Sequence, residues 1–193
     1  MTNALSSFKE SISSKDIIFL SAEGVDLTFE TKIIKINDDN LVIQNTIPFT
    51  YIDKVVSKNK FTLQCHKNRI ESSELKNNGV DIIFPLDSNR VMAETRDEER
   101  VDVRENSKIT LRMLNPFDQK TYLEKPVLDM SESGFSVRIK TQSKVFMSGI
   151  VFTSLEVMDS GRCIKKCQGQ VVYSRHYIDL KGREYCQVGF RIK

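Results

Sequence analysis

The chain has 193 residues, of which 39% are apolar and 28% charged, and its formal net charge is +3. That length suffices for one large domain or two small ones with cores of modest size, the composition is that of an ordinary globular protein, and the charge is too small to mark a nucleic-acid binder by itself. The charge is uneven, however: residues 1–93 hold 11 Lys+Arg against 12 Asp+Glu, leaving 18 against 14 for residues 94–193, so an anionic partner is expected to meet the second half.

The opening "MTNALSSFKESISS" lacks the basic start and long apolar block of a secretory signal, and no apolar run reaches the length of a membrane span. A cytoplasmic protein is expected, with Cys65, Cys163, Cys167 and Cys186 reduced. Leu5, Phe8 and Ile12 fall at helical spacing and predict a short amphipathic helix over 4–13. The pattern then turns to strands. "IIFLS", "VDLTFETKIIKI", "LVIQN", "FTLQCH" and "VDIIFPL" are rich in β-branched and aromatic residues with partial alternation, and "NDDN" at 37–40 reads as a hairpin turn. So many short strands in about ninety residues predict a small barrel or sandwich. "PLDSNRVMAETRDEER" breaks the pattern with turn residues and charges, which places a domain boundary there: 1–93, and 94–193 including the charged linker.

The second half repeats the strand grammar in "RVDVRENSKITLRML", "TYLEKPVLDMS", "GFSVRIK", "GIVFTSLEV", "CIKKCQGQVVYSR" and "YCQVGFRIK". In "GFSVRIK", Phe135, Val137 and Ile139 alternate with Ser136, Arg138 and Lys140, predicting one buried face and one polar, cationic face. The fold class expected is all-β, as two small antiparallel barrels.

Two motifs stand out. Arg96 and Arg100 are four residues apart around the acids Asp97, Glu98 and Glu99, and "DMSESG", Asp129 to Gly134, follows about thirty residues later at a strand end. Alone, the first is an ordinary salt-bridged charge cluster and the second an ordinary turn in which Asp129 caps its own backbone. Together they read RxxxR followed by DxSxxG. This pair, with "RVDV" running directly on from the second arginine and the late strands "GQVVYSR" and "YCQVGFRI", resembles the PilZ domain, the bacterial receptor module for cyclic di-GMP. The resemblance covers roughly 94–193. Residues 1–93 resemble, more loosely, the N-terminal β domain of flagellar brake proteins.

The resemblance implies that Arg96, Arg100, Asp129, Ser131 and Gly134 contact cyclic di-GMP. The chemistry suits them. A guanidinium can fork onto phosphate or onto guanine O6 and N7, or stack on a base. A carboxylate accepts from guanine N1–H and its exocyclic amine. Ser131 adds a small donor, and Gly134 suits a position where the backbone must take positive φ or approach the ligand closely. Arg100 and Arg104 share the same spacing, but in the family the second arginine immediately precedes the first strand, which favours Arg96 and Arg100. Thr95 stands where many members have another basic residue, leaving open whether one ligand or a stacked pair is bound.

Other chemistries find little support. Cys163 and Cys167 on one strand would lie about 13 Å apart, too far for one zinc. His66 and His176 read as half-buried or surface residues, and no P-loop, nucleophile elbow or dinucleotide-binding glycines occur. The expectation is a non-enzymatic cyclic di-GMP effector without cofactors, whose ligand changes the domain arrangement and whose output is a protein partner, in flagellar or motility machinery on the looser likeness. The alternatives are a nucleotide-independent interaction scaffold and, less favoured because aromatics interleaved with cations are not obvious, a single-stranded nucleic-acid binder.

Overall fold

The computed structural model describes residues 3–14, 16–37, 39–65, 68–86, 91–93, 101–103 and 108–193. The chain divides into two compact units, Met1–Arg96 with Tyr177–Glu184, and Asp97–His176 with Tyr185–Lys193. This departs most from the sequence boundaries at Tyr177–Glu184, a segment of the second half that packs within the first unit.

The first unit begins with α1 (Asn3–Ser14), β1 (Ile18–Ala22), β2 (Thr28–Thr31), β3 (Ile33–Ile36) and β4 (Asn40–Gln44). It continues with α2 (Phe49–Val56), β5 (Phe61–Cys65), β6 (Asn68–Ser72), β7 (Lys76–Asn77), β8 (Asp81–Pro85) and β9 (Val91–Ala93). One sheet runs β9-β6-β5-β1-β2 and the other β3-β4-β8-β7. The chain turns from one to the other at Lys32, where Thr31 Oγ1 donates to the Gln44 carbonyl at 2.6 Å and the Lys32 carbonyl accepts from Gln44 N at 2.9 Å. Alternation places Ile18 and Leu20, Leu41 and Ile43, Phe61 and Leu63, and Ile82 and Phe84 in one shared core. Phe8 of α1 is fully buried there, and Ile12 packs against it. Tyr177 and Ile178 extend the first sheet by pairing in parallel with Thr28 and Phe29, and Ile178 is fully buried.

The second unit holds β10 (Val101–Asp102), β11 (Ile109–Leu114), β12 (Tyr122–Met130), β13 (Gly134–Ile139), a 3₁₀ turn (Lys144–Phe146) and β14 (Val151–Asp159). The long β15 (Arg162–Ile178) and β16 (Glu184–Ile192) follow, and both continue past the barrel into the first unit. Strands β14-β11-β12-β13-β16-β15 close into a six-stranded barrel through the β14–β15 pairing. Closure removes sheet edges. Phe135, Val137 and Ile139 point inward, as their alternation predicts, among Leu111, Phe152, Val188 and Phe190. Phe146 stacks on Phe152 with centroids 6.0 Å apart and sits edge-on to Phe190. On the outer wall, Glu156 pairs with Lys166 at 2.8 Å and Arg112 at 3.7 Å, which holds its carboxyl below the ordinary range, chiefly through the Lys166 hydrogen bond.

All four cysteines are free thiols. Burial pushes the Cys65 thiol, 2.7 Å from Ser11 Oγ, up to about 11. A thiol raised in the folded state leaves stability intact below the ordinary thiol range and withdraws it as pH climbs toward that value, so the first unit is expected to melt earlier above pH ~9. Native thiol titration should find exposed Cys163 reactive, with Cys65 and Cys186 reacting only on unfolding. Rapid native labelling of either buried thiol would contradict this packing. No described helix is long and apolar enough to cross a membrane.

Candidate functional site

The "DMSESG" segment is the connection between β12 and β13. It is a tight turn in which the Gly134 carbonyl accepts from Ser131 N at 2.7 Å and from Ser131 Oγ at 3.4 Å. Gly134 is required by close approach: a Cβ there would lie 2.3 Å from the Phe190 carbonyl oxygen on β16. Gly134 does not adopt a positive φ, and the crowding that requires a glycine comes from the barrel itself, not from a ligand. On the other edge of β12, Val101 pairs with Met130 and Asp102 with Asp129, and Val103 N donates to the Leu128 carbonyl at 2.9 Å. The residues that follow Arg100 in the chain therefore run alongside the strand end carrying Asp129.

Asp129 is half-buried on the outer face, and its Oδ2 accepts from Ser136 Oγ at 2.5 Å and Gln187 Nε2 at 3.1 Å. Gln187 Nε2 also lies 2.8 Å from Ser136 Oγ and 3.3 Å from Tyr173 Oη. A polar chain thus crosses β12, β13, β16 and β15. Tyr173 reaches it because Gly189 has no side chain: a Cβ at 189 would meet the tyrosine ring at 2.1 Å. Arg175 stands over the Tyr173 ring at 5.0 Å and Arg138 over the Tyr185 ring at 4.1 Å. The wall predicted to be a polar, cationic face is therefore partly covered. Ser136 is fully buried, Arg138 is half-buried on an aromatic ring, and Lys140 is exposed.

Of the sequence-predicted residues, the structure brings Asp129, Ser131 and Gly134 together at one turn. Arg96 and Arg100, like Arg104 and His66, lie outside the described residues. The sequence reading missed Ser136, Gln187, Gly189 and Tyr173. The signal for two of them was present in "YCQVGFRIK", where Gln187 and Gly189 share the outward register against inward Cys186, Val188 and Phe190. His176 lies with Nδ1 3.5 Å from Cys186 Sγ. Among the described residues no group of three or more His, Cys, Asp or Glu side chains could hold a metal ion.

No protein-family model and no curated protein matches the chain. Solved structures do. The complex of K. pneumonia MrkH with c-di-GMP superposes with a TM-score of 0.73 at 14% identity, covering 98% of this chain and 85% of that one. A second structure of MrkH, described as a c-di-GMP dependence transcription regulatory factor, gives 0.61 at 15% identity over 100% and 84%. Escherichia coli YcgR in complex with c-di-GMP gives 0.58 at 14% identity over 98% and 81%. The chain has the fold of these proteins, and its second unit is a PilZ-like barrel.

Proposed function

We propose that this protein is a cyclic di-GMP effector that binds the nucleotide at the β12–β13 turn of its second unit. The observation that carries the reading is the placement of Asp129, Ser131 and Gly134 on one turn beside β10, the strand that begins directly after Arg100. The fold likeness to two proteins solved with c-di-GMP supports it. Arg96 and Arg100 supply forked donors to phosphate and guanine. Ser136 and Gln187 orient the Asp129 carboxylate, which has acceptor capacity for both these donors and the guanine edge. A ligand gripping the arginines and the turn orders the linker against the barrel and shifts the domain arrangement, and the output passes to a protein partner, with motility control as the pathway to test first.

Asp129→Ala separates guanine recognition from general anion binding. It removes the acceptor for N1–H and the exocyclic amine, so cyclic di-GMP affinity should fall by about tenfold or more while binding of the adenine analogue changes little. It also leaves Ser136 and Gln187 without their shared acceptor, at a cost of roughly 1–2 kcal/mol in stability. Equal losses for both ligands in calorimetry would remove Asp129 from base recognition. For the switch, hydrogen exchange across 93–104 should slow on saturation with cyclic di-GMP. Unchanged exchange would defeat the linker mechanism while leaving binding intact.

A further inference from the structure

At the far end of the β12–β13 hairpin the two strands part. Their ladder ends at the Val127–Val137 pair, after a bulge between Val127 and Asp129. The next residue of β12 is Pro126, which has no N–H to donate to β13. Each strand stays anchored on its other edge, β12 to β11 as far as Tyr122 and β13 to β16 as far as Ile139. The separation is therefore built into the barrel wall. A cleft of about 470 Å³ lies in it.

The lining combines two chemistries. Leu123 and Val145, half-buried against the barrel core, supply apolar lining, and Lys125, Arg138 and Lys140 line it too. The acid among these described lining residues, Glu124, accepts from Thr110 Oγ1 on β11 at 2.6 Å. A small inorganic anion would pair with the cations but gain nothing from the apolar residues. A neutral apolar peptide would leave the cations beside a dehydrated contact, which costs free energy. A cleft between two strands lined by both apolar and cationic residues suits a peptide carrying an apolar side chain between carboxylates.

We infer that this cleft is a docking site for an acidic, extended segment of a partner protein, with one apolar side chain seated on Leu123 and Val145 and flanking Asp or Glu carboxylates on Lys125 and Lys140. Along the strands Lys125 lies four residues from Asp129 and Lys140 six from Gly134, roughly 13 and 20 Å at the strand rise. The site is thus separate from the proposed nucleotide contacts and does not depend on that reading.

The test is selection of a random peptide display library on the intact protein, followed by amide chemical-shift mapping of the enriched peptides. Enriched sequences should carry an aliphatic or aromatic residue flanked by Asp or Glu and should shift the amides of 123–126 and 138–146. The double variant Lys125→Glu/Lys140→Glu should bind them about tenfold or more weakly, since two attractive contacts become repulsive. Pro126→Val restores the missing N–H and should let the ladder continue, closing the cleft and abolishing peptide binding with every charge in place. No enrichment, enriched peptides without acidic residues, or acidic peptides indifferent to both variants would overturn the inference. Cyclic di-GMP titrated into the same variants should bind as to the wild type. Failure of cyclic di-GMP to bind the wild type would sink the proposed function and leave the peptide result to be judged alone.

Discussion

Replacing Arg100 with alanine is expected to abolish or greatly weaken cyclic di-GMP binding while the barrel stays folded. The chain that follows Arg100 is fixed by the Val101–Met130 and Asp102–Asp129 pairs, which tie this part of the linker to the strand end carrying the motif turn. A guanidinium delivered there can make charge-assisted, forked hydrogen bonds to phosphate or to the guanine edge. Losing such bonds costs roughly 2–3 kcal/mol, thirtyfold or more in affinity. Among the described residues the barrel core is assembled from β11 to β16, from Leu111 to Phe190. Calorimetry and thermal melting of the variant read the two halves of the prediction separately. Unchanged affinity would transfer the role to the Arg104 register or favour a nucleotide-independent scaffold.

Gly134→Val should act through the fold before it acts through the ligand. Any Cβ at 134 meets the Phe190 carbonyl at 2.3 Å, and because that atom belongs to the backbone of β16, no side-chain rotation relieves the contact. The strands must separate where Gly134 pairs with Arg191 and Phe135 with Phe190, and Phe190 also packs on Phe135, Phe146 and Phe152. We expect a loss of roughly 3 kcal/mol, the upper range for overpacking, and a melting temperature for the second unit lower by about 10 °C or more. An unshifted melting curve with lost nucleotide binding would mean that the strand end relaxes and that Gly134 serves the ligand directly.

How far the sequence discloses the structure depends on the range of each interaction. Local alternation is enough to aim Phe135, Val137 and Ile139 into a core, and the spacing of Phe8 and Ile12 is enough to predict α1. Ser136 occupies a register position indistinguishable from those of Arg138 and Lys140. Its burial comes from Gln187, 51 positions away, and from the gap that Gly189 leaves for Tyr173. α2 was not legible because "FTYIDKVV" is rich in aromatic and β-branched residues that favour strands. Pro48 before its first turn and Val55, buried in the tertiary core, decide in favour of helix. Membership of Tyr177–Glu184 in the first unit depends on the parallel pairing of Tyr177 and Ile178 with Thr28 and Phe29, about 150 residues away in sequence, which no local pattern encodes. The motif turn is the opposite case. Asp129, Ser131 and Gly134 lie within six residues, so their proximity follows from the sequence. What the structure adds is the reason for the glycine and the donors that orient the carboxylate.

The measurement that bears most directly on the central claim is a calorimetric titration of the intact protein with cyclic di-GMP, run beside GMP and a short single-stranded RNA. A cyclic dinucleotide presents two phosphates and two guanine edges to the paired arginines and the Asp129 turn at once, whereas GMP presents one of each and the RNA offers no cyclic geometry. Saturable heat with cyclic di-GMP, much weaker heat with GMP and none with the RNA is the predicted result. Absence of binding to cyclic di-GMP, or equal binding of the RNA, would contradict the account.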